Sequence, residues 1–192
     1  MKSKAGGRTV TIFVVLGIIA LIAIFLISGY NGLVVKKESV TKAYSDLGTM
    51  LQRRADLIPN LVNTVKGYTS HESEIIDKIT TARQNLLNAN TLEDTQKAND
   101  ELSTALNALM VIVENYPDLK ASENFINLQD ELSGTENRIA VARKDYNDVV
   151  NQYNRSIKVF PTNILAGMFN FTEEKYFEAS EESLRAPSVN FE

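Results

Sequence analysis

Apolar residues follow two regimes along this chain. Between Thr9 and Gly29 they dominate an uncharged run, TVTIFVVLGIIALIAIFLISG. At 1.5 Å of rise per residue, about 20 such residues match a hydrocarbon core of roughly 30 Å, so the run predicts one membrane-spanning helix. A cleavable signal sequence is the competing reading, but its apolar region is only about 7 to 15 residues long, and no A-x-A-like site follows here. Beyond the run, apolar positions alternate with polar ones at spacings of three and four. Val40, Tyr44, Leu47, Leu51, Arg54, Ile58, Leu61, Val65 and Tyr68 form one such seam and predict a long helix from near Val34 to Tyr68. Thr69 and Glu72 have capping-box form, which predicts a second helix from about Ser70 with Ile75, Ile79, Ala82 and Leu86 inward. Thr91, followed by Glu93 and Asp94, caps a third helix carrying Ala98, Leu102, Ala105, Leu109, Ile112 and Tyr116. Pro117 stops it. Ser122 caps a fourth, in which Phe125, Leu132, Ile139, Tyr146, Tyr153 and Phe160 recur every seven residues.

Long helices joined by short connections predict an all-α fold: a single N-terminal transmembrane helix followed by an antiparallel four-helix bundle. An intermolecular coiled coil would satisfy the heptads but leave the short turns at Thr69 and Pro117 without purpose. The expected organisation is a basic leader over residues 1–8, the span over 9–29, the bundle over 30–160 and a tail over 161–192. The first and fourth helices, at about 35 residues, reach roughly 50 Å, whereas the middle two have about 20 to 25. The long pair therefore continues alone as a stalk, Val40, Tyr44 and Leu47 meeting Tyr146, Val149, Tyr153 and Ile157. The aromatic tail segment FPTNILAGMFNFTEEKYF, Phe160 to Phe177, packs back on that stalk or lies on the lipid surface, and the chain beyond is loose.

Composition narrows the chemistry. A formal net charge of -4 and a pI near 5.2 leave no basic face to neutralise phosphates, which argues against nucleic acid as a partner. The absence of cysteine excludes disulfides, thiolate metal sites and a cysteine nucleophile. Leu26-Ile27-Ser28-Gly29-Tyr30 has the outline of a lipoprotein box with tyrosine in the lipidated position, so the helix itself must be the anchor. One histidine, His71, supplies neither an H-E-x-x-H site nor the paired E-x-x-H motifs of a di-iron bundle. Neither catalytic residues, metal ligands nor cofactor-binding residues are expected. Lys2, Lys4 and Arg8 ahead of the span slightly outweigh Lys36, Lys37 and Lys42 behind it, which leans toward a domain outside the cytoplasm.

Several separate strings then occur in order: QRRADLIPNLVNTVKGYTSHE, ENYPDL, GTENRIAVARKDYN, and Tyr153-Asn154 with Phe160-Pro161. Together they resemble the LemA family, from about Tyr30-Asn31 to Phe177. The residues matching the family pattern are Arg53, Arg54, Asp56, Pro59, Asn60, His71, Glu72, Tyr116, Pro117, Glu136, Arg143, Tyr146, Asn147, Tyr153, Asn154 and Pro161. The resemblance implies a single-pass protein of the bacterial cell membrane with a helical-bundle domain. It also implies an N-terminus outside the cell, opposite to the lysine count, and carries no defined activity.

Within that pattern Arg54 is the anomaly, a permanent charge on an apolar seam. Counting levels along an up-down-up-down bundle puts Arg83, Glu101 and Glu136 in its layer, and an internal charge network of Arg54, Arg83, Glu101 and Glu136 is expected to satisfy it. The alternative is an Arg54 that bends outward with only its stem packed. Pro59 removes a helical donor from the Ala55 carbonyl and is expected to kink the first long helix. Asn147 and Asn154, each after a seam tyrosine, flank that seam, where they either sit at the edge of packed phenols or fix a partner's register. The expected role is a non-catalytic interaction or scaffold protein of the envelope. Its partners are the lipid bilayer, other membrane proteins or a second copy. The alternative is a sensor that binds a small anion or peptide and signals through the first long helix.

Overall fold

The computed structural model describes residues 5–69 and 72–178, with side chains from Val10 onward. The described residues contain six helices and no strand: α1 (Ala5–Lys66), α2 (Ser73–Asn88), α3 (Leu92–Val113), α4 (Pro117–Lys120), α5 (Glu123–Lys158) and α6 (Thr162–Met168). The expected boundary between span and first long helix is absent, because α1 runs unbroken for 62 residues. Gly29 and Gly32 each weaken the helix by only about 1 kcal/mol, and no proline accompanies them. Gly29 has a packing role, since a Cβ there would collide with Leu165. The helix also continues through Pro59.

Other boundaries shift for local reasons. Thr69 does not form the expected capping box: its hydroxyl donates to the Val65 carbonyl at 3.1 Å, closing α1. Glu72 is the N-cap of α2 without a side-chain cap bond, because its carboxylate accepts from the Tyr116 hydroxyl at 2.8 Å. His71 lies outside the described residues. Thr91 does cap α3, accepting from the Asp94 amide at 3.1 Å. Pro117 follows the end of α3 and opens α4 at its first position, where its missing N–H costs nothing. Phe160 lies past the end of α5 and is 80% exposed, so the heptad row ends at Tyr153.

The chain divides into two compact units. The first comprises, among the described residues, 5–41 and 148–174. Its apolar interior is formed by Leu33 and Val40 of α1, Val150, Tyr153 and Ile157 of α5, and Leu165 and Ala166 of α6. Tyr30 packs edge-on against Phe169 at 4.8 Å between ring centroids and lies near Phe171. The Tyr153 hydroxyl donates to the Thr172 carbonyl at 2.9 Å, and Asn154 exchanges two bonds with the Glu174 backbone. Lys37 pairs with Glu174 at 2.9 Å, which raises its pKa. The run from Val10 to Ile27 stands apart: its large apolar side chains, all but Leu26, are 40–69% exposed, and it is the only described helix segment long and apolar enough to cross a membrane.

The second unit comprises, among the described residues, 42–147 and 175–178. Seams predicted from spacing meet in its core, with Leu47, Leu51, Ile58, Leu61 and Val65 from α1, Ile75 and Ile79 from α2, Leu102 and Leu109 from α3, and Phe125 and Ile139 from α5. Tyr44 lies beside Tyr146, ring centroids 5.8 Å apart. The Tyr146 hydroxyl donates to the Lys175 carbonyl, and Asn147 exchanges two bonds with the Phe177 backbone at 2.8 and 2.9 Å. In each unit, therefore, a Tyr-Asn pair holds the chain's own C-terminal segment. The asparagine side chains bond to the backbone of that segment.

Candidate functional site around Arg54

Arg54 faces inward because it lies three residues after Leu51 and four before Ile58, about one helical turn from each. It is 5% exposed. Its Nη1 donates to Asn99 Oδ1 of α3 at 2.8 Å and lies 3.0 Å from Glu136 Oε2 of α5. Asn99 is buried, whereas half of the Glu136 side chain remains exposed. Burial pushes the guanidinium pKa down, and the charges of Glu136 and Asp100 oppose that shift. An arginine stays protonated throughout the ordinary range, so the site holds a permanent cation.

The four-residue layer expected here separates into three arrangements. Glu136 is beside Arg54. Glu101 instead accepts from Asn85 Nδ2 at 3.0 Å at the surface, because two residues of helix, about 200°, separate its direction from that of inward-facing Asn99. Arg83 donates through Nε to the Ala55 carbonyl at 2.8 Å. That carbonyl is the one Pro59 deprives of its helical donor, so Arg83 supplies the missing N–H.

The other family-pattern residues are distributed. Arg53 pairs with Glu131 at 2.9 Å on the surface, and Asp56 accepts from Gln52 at 2.8 Å. The Asn60 carbonyl accepts from Thr64 at 2.9 Å, Arg143 is half-buried on α5, and Pro161 follows a cis peptide bond. Level counting missed Asn99, a polar residue immediately after the seam position Ala98. Its signal was present in the spacing, since Asn99 lies three residues before Leu102 and six before Ala105.

A cavity of about 420 Å³ opens beside Arg54. Leu61, Leu106, Leu109, Met110, Phe125 and Leu132 supply its apolar wall, and Asn107, Gln129, Ser133, Asn137 and Glu136 its polar part. Arg54's hydrogen bond and its ion pair both use Nη1, and no enclosed side-chain nitrogen or oxygen among the described residues lacks a partner. Nε and Nη2 therefore keep access to open space, and Arg54 itself lines the cavity. The arrangement can hold and orient an anionic group. Among the described residues no cluster of three His, Asp or Glu side chains is placed to hold a metal ion.

Fold and site thus define an all-helical protein with one long apolar N-terminal helix and a buried arginine at the edge of a cavity. The chain belongs to the LemA family, whose model matches residues 43–191. That match begins later than Tyr30-Asn31 and extends beyond Phe177. The chain is 28% identical to magnetosome protein MamQ 2 of Paramagnetospirillum magneticum, across 85% of this chain and 70% of the relative. It is 28% identical to Protein LemA of Metamycoplasma hominis, across 79% and 69%. Magnetosome protein MamQ of Magnetospirillum gryphiswaldense is 25% identical, across 91% and 74%.

Proposed function

We propose that this chain is a non-catalytic, membrane-anchored interaction protein of the bacterial envelope, in which residues 42–147 form an antiparallel four-helix bundle that engages other membrane proteins or a second copy. The observation that carries the anchoring is the exposure of the apolar run. Fourteen Val, Ile, Leu and Phe residues lie between Val10 and Ile27. At about 0.3–0.6 kcal/mol each near a bilayer centre, they favour insertion by roughly 4–8 kcal/mol. Support for the bundle comes from bonds that link its helices in pairs: Arg54 to Asn99 and Glu136, Arg83 to the Ala55 carbonyl, and Asn85 to Glu101.

Crosslinking in intact membranes followed by mass spectrometry tests the interaction role. Defined crosslinks from residues 42–147 to envelope proteins or to a second copy are expected. Recovery of the chain as an uncrosslinked monomer, at lengths that capture known neighbours in the same membrane, would overturn it. A tryptophan at Phe13 tests the anchor in a sequence that has none of its own: quenching by lipids brominated along the acyl chain is expected, and water-like emission would refute insertion. Protease access in spheroplasts decides between the side favoured by the lysine count and the side implied by the family.

The cavity beside Arg54 favours a second reading, a bundle that receives a small anionic ligand or peptide and transmits its arrival through α1. Thermal shift across a panel of organic anions tests it, since a ligand that binds only the folded state raises the transition.

A further inference from the structure

We propose that the Arg54 cavity binds the carboxylate of a small apolar acid on the arginine's Nε–Nη2 edge, against the competing charge of Glu136 at Nη1. This rests on the ligand-binding reading above and adds the chemistry of the ligand.

The guanidinium offers one unoccupied edge. Its Nη1 is already bonded to Asn99 and paired with Glu136, while Nε and Nη2 carry no partner. Those two nitrogens form one edge of the planar group, with parallel N–H bonds matched to the two oxygens of a carboxylate. A carboxylate entering from the cavity can take that edge in a bidentate pair without displacing Asn99.

Charge narrows the ligand further. Arg54 is buried, but Glu136 is half exposed and can move into water with little desolvation cost. Its attraction to Arg54 competes with an incoming anion, and the nearby charge of Asp100 adds to the repulsion. The site as it stands therefore favours a single negative charge and disfavours phosphates.

Shape narrows it again. A volume of about 420 Å³ lies in the lower part of the range usual for small-molecule pockets, roughly 300–1,000 Å³. Leu106, Met110, Phe125 and Leu132 give the ligand's body an apolar lining, so a bare inorganic anion would leave most of that surface unused. Free acids and the C-terminal residue of a peptide share the required chemistry.

The test uses the full chain in nanodiscs and titrates N-acetyl-leucine, 4-phenylbutyrate and a heptapeptide ending in leucine, each beside its amide. The acids should bind at least about tenfold more tightly than the amides, a difference of about 1.4 kcal/mol. Glu136→Gln should tighten the acids about three- to tenfold and leave the amides unchanged. Arg54→Met should abolish the acid preference, with far-UV circular dichroism reporting its fold, and Arg54→Lys should weaken it by losing the fork. Peptide acid binding well above N-acetyl-leucine assigns the ligand as a chain terminus, and equal affinity assigns it as a free acid. Amides that bind as well as acids, or an unchanged preference in Glu136→Gln, would overturn the carboxylate proposal while leaving a ligand-binding cavity. Failure of every probe with both wild type and Glu136→Gln would overturn both.

Discussion

Arg83→Met removes the donor that serves the Ala55 carbonyl. Pro59 has no N–H, so this carbonyl lacks its normal partner four residues on, and Ala55 is fully buried. Arg83 Nε, at 2.8 Å, fills that vacancy from α2. Hydrogen bonds from charged donors contribute about 1.5–3 kcal/mol, and a buried acceptor left bare costs about 1–3 kcal/mol. Arg83 is itself half-buried, so water can partly replace it, and the expected loss of stability is about 1.5 kcal/mol.

The diagnostic is the same substitution in a Pro59→Ala background. There residue 59 regains an N–H aimed at the Ala55 carbonyl, and Arg83→Met should cost less than about 0.5 kcal/mol. The coupling of about 1 kcal/mol is measured as a double-mutant cycle by urea unfolding of the full chain in detergent micelles, followed by circular dichroism. Unchanged denaturant slopes would show that all four proteins expose similar surface on unfolding. If Arg83→Met costs the same in both backgrounds, within about 0.5 kcal/mol, the idea that Arg83 completes α1 at the proline is refuted.

Asn99→Leu should destabilise the chain by about 1–3 kcal/mol, because it strips an acceptor from a buried cation; combined with Arg54→Met it should recover most of that loss in the same unfolding assay. Asn154→Ala and Asn147→Ala should speed hydrogen exchange at the Glu174 and Phe177 amides respectively, each of which donates to the asparagine that is removed; unchanged protection would show that the C-terminal segment is held by other contacts. The Lys175 side chain holds the Glu93 carboxyl below its ordinary range, mainly by their hydrogen bond. A depressed acid stabilises the folded state above its ordinary pKa and loses that contribution as pH falls through the folded value, so Lys175→Met should return Glu93 toward an ordinary glutamate in an NMR titration and weaken the acid dependence of segment release.

The seams were legible because burial follows helical spacing: Leu51, Ile58, Leu61, Ile79, Leu102, Leu109 and Ile139 are inward as their periodicity requires. Junctions were not, because they depend on long-range contacts. The span is expected to end at Gly29, yet α1 continues through it, with Leu165, far along the chain, in the space beside that glycine. Thr69 and Glu72 carry the letters of a capping box, but Tyr116 claims the glutamate. The Arg54 layer was legible in part. Glu136 lies where level counting puts it, but rotation about α3 turns Glu101 away and brings in Asn99, and a count of heights carries no information about rotation. The Tyr-Asn pairs were visible as repeats, while their partners, backbone groups of an extended segment, have no sequence signature.

Pro59 and Arg54 separate two uses of arginine on one helix. At Pro59 a cation on α2 repairs a backbone defect. At Arg54 there is no backbone defect to repair, and stability alone gives little reason for the charge, since a hydrophobic residue in place of a buried ion pair is often neutral or favourable. A residue retained only to satisfy Glu136 would not need burial, because that carboxylate is half in water already. What burial adds is a lowered dielectric around the remaining N–H edge, which strengthens a carboxylate bond made there. Asn99 then holds the guanidinium in place from the enclosed side. Loss of the acid preference in Arg54→Met, together with retained or increased stability, would show that the charge is kept for recognition at a site the fold could do without.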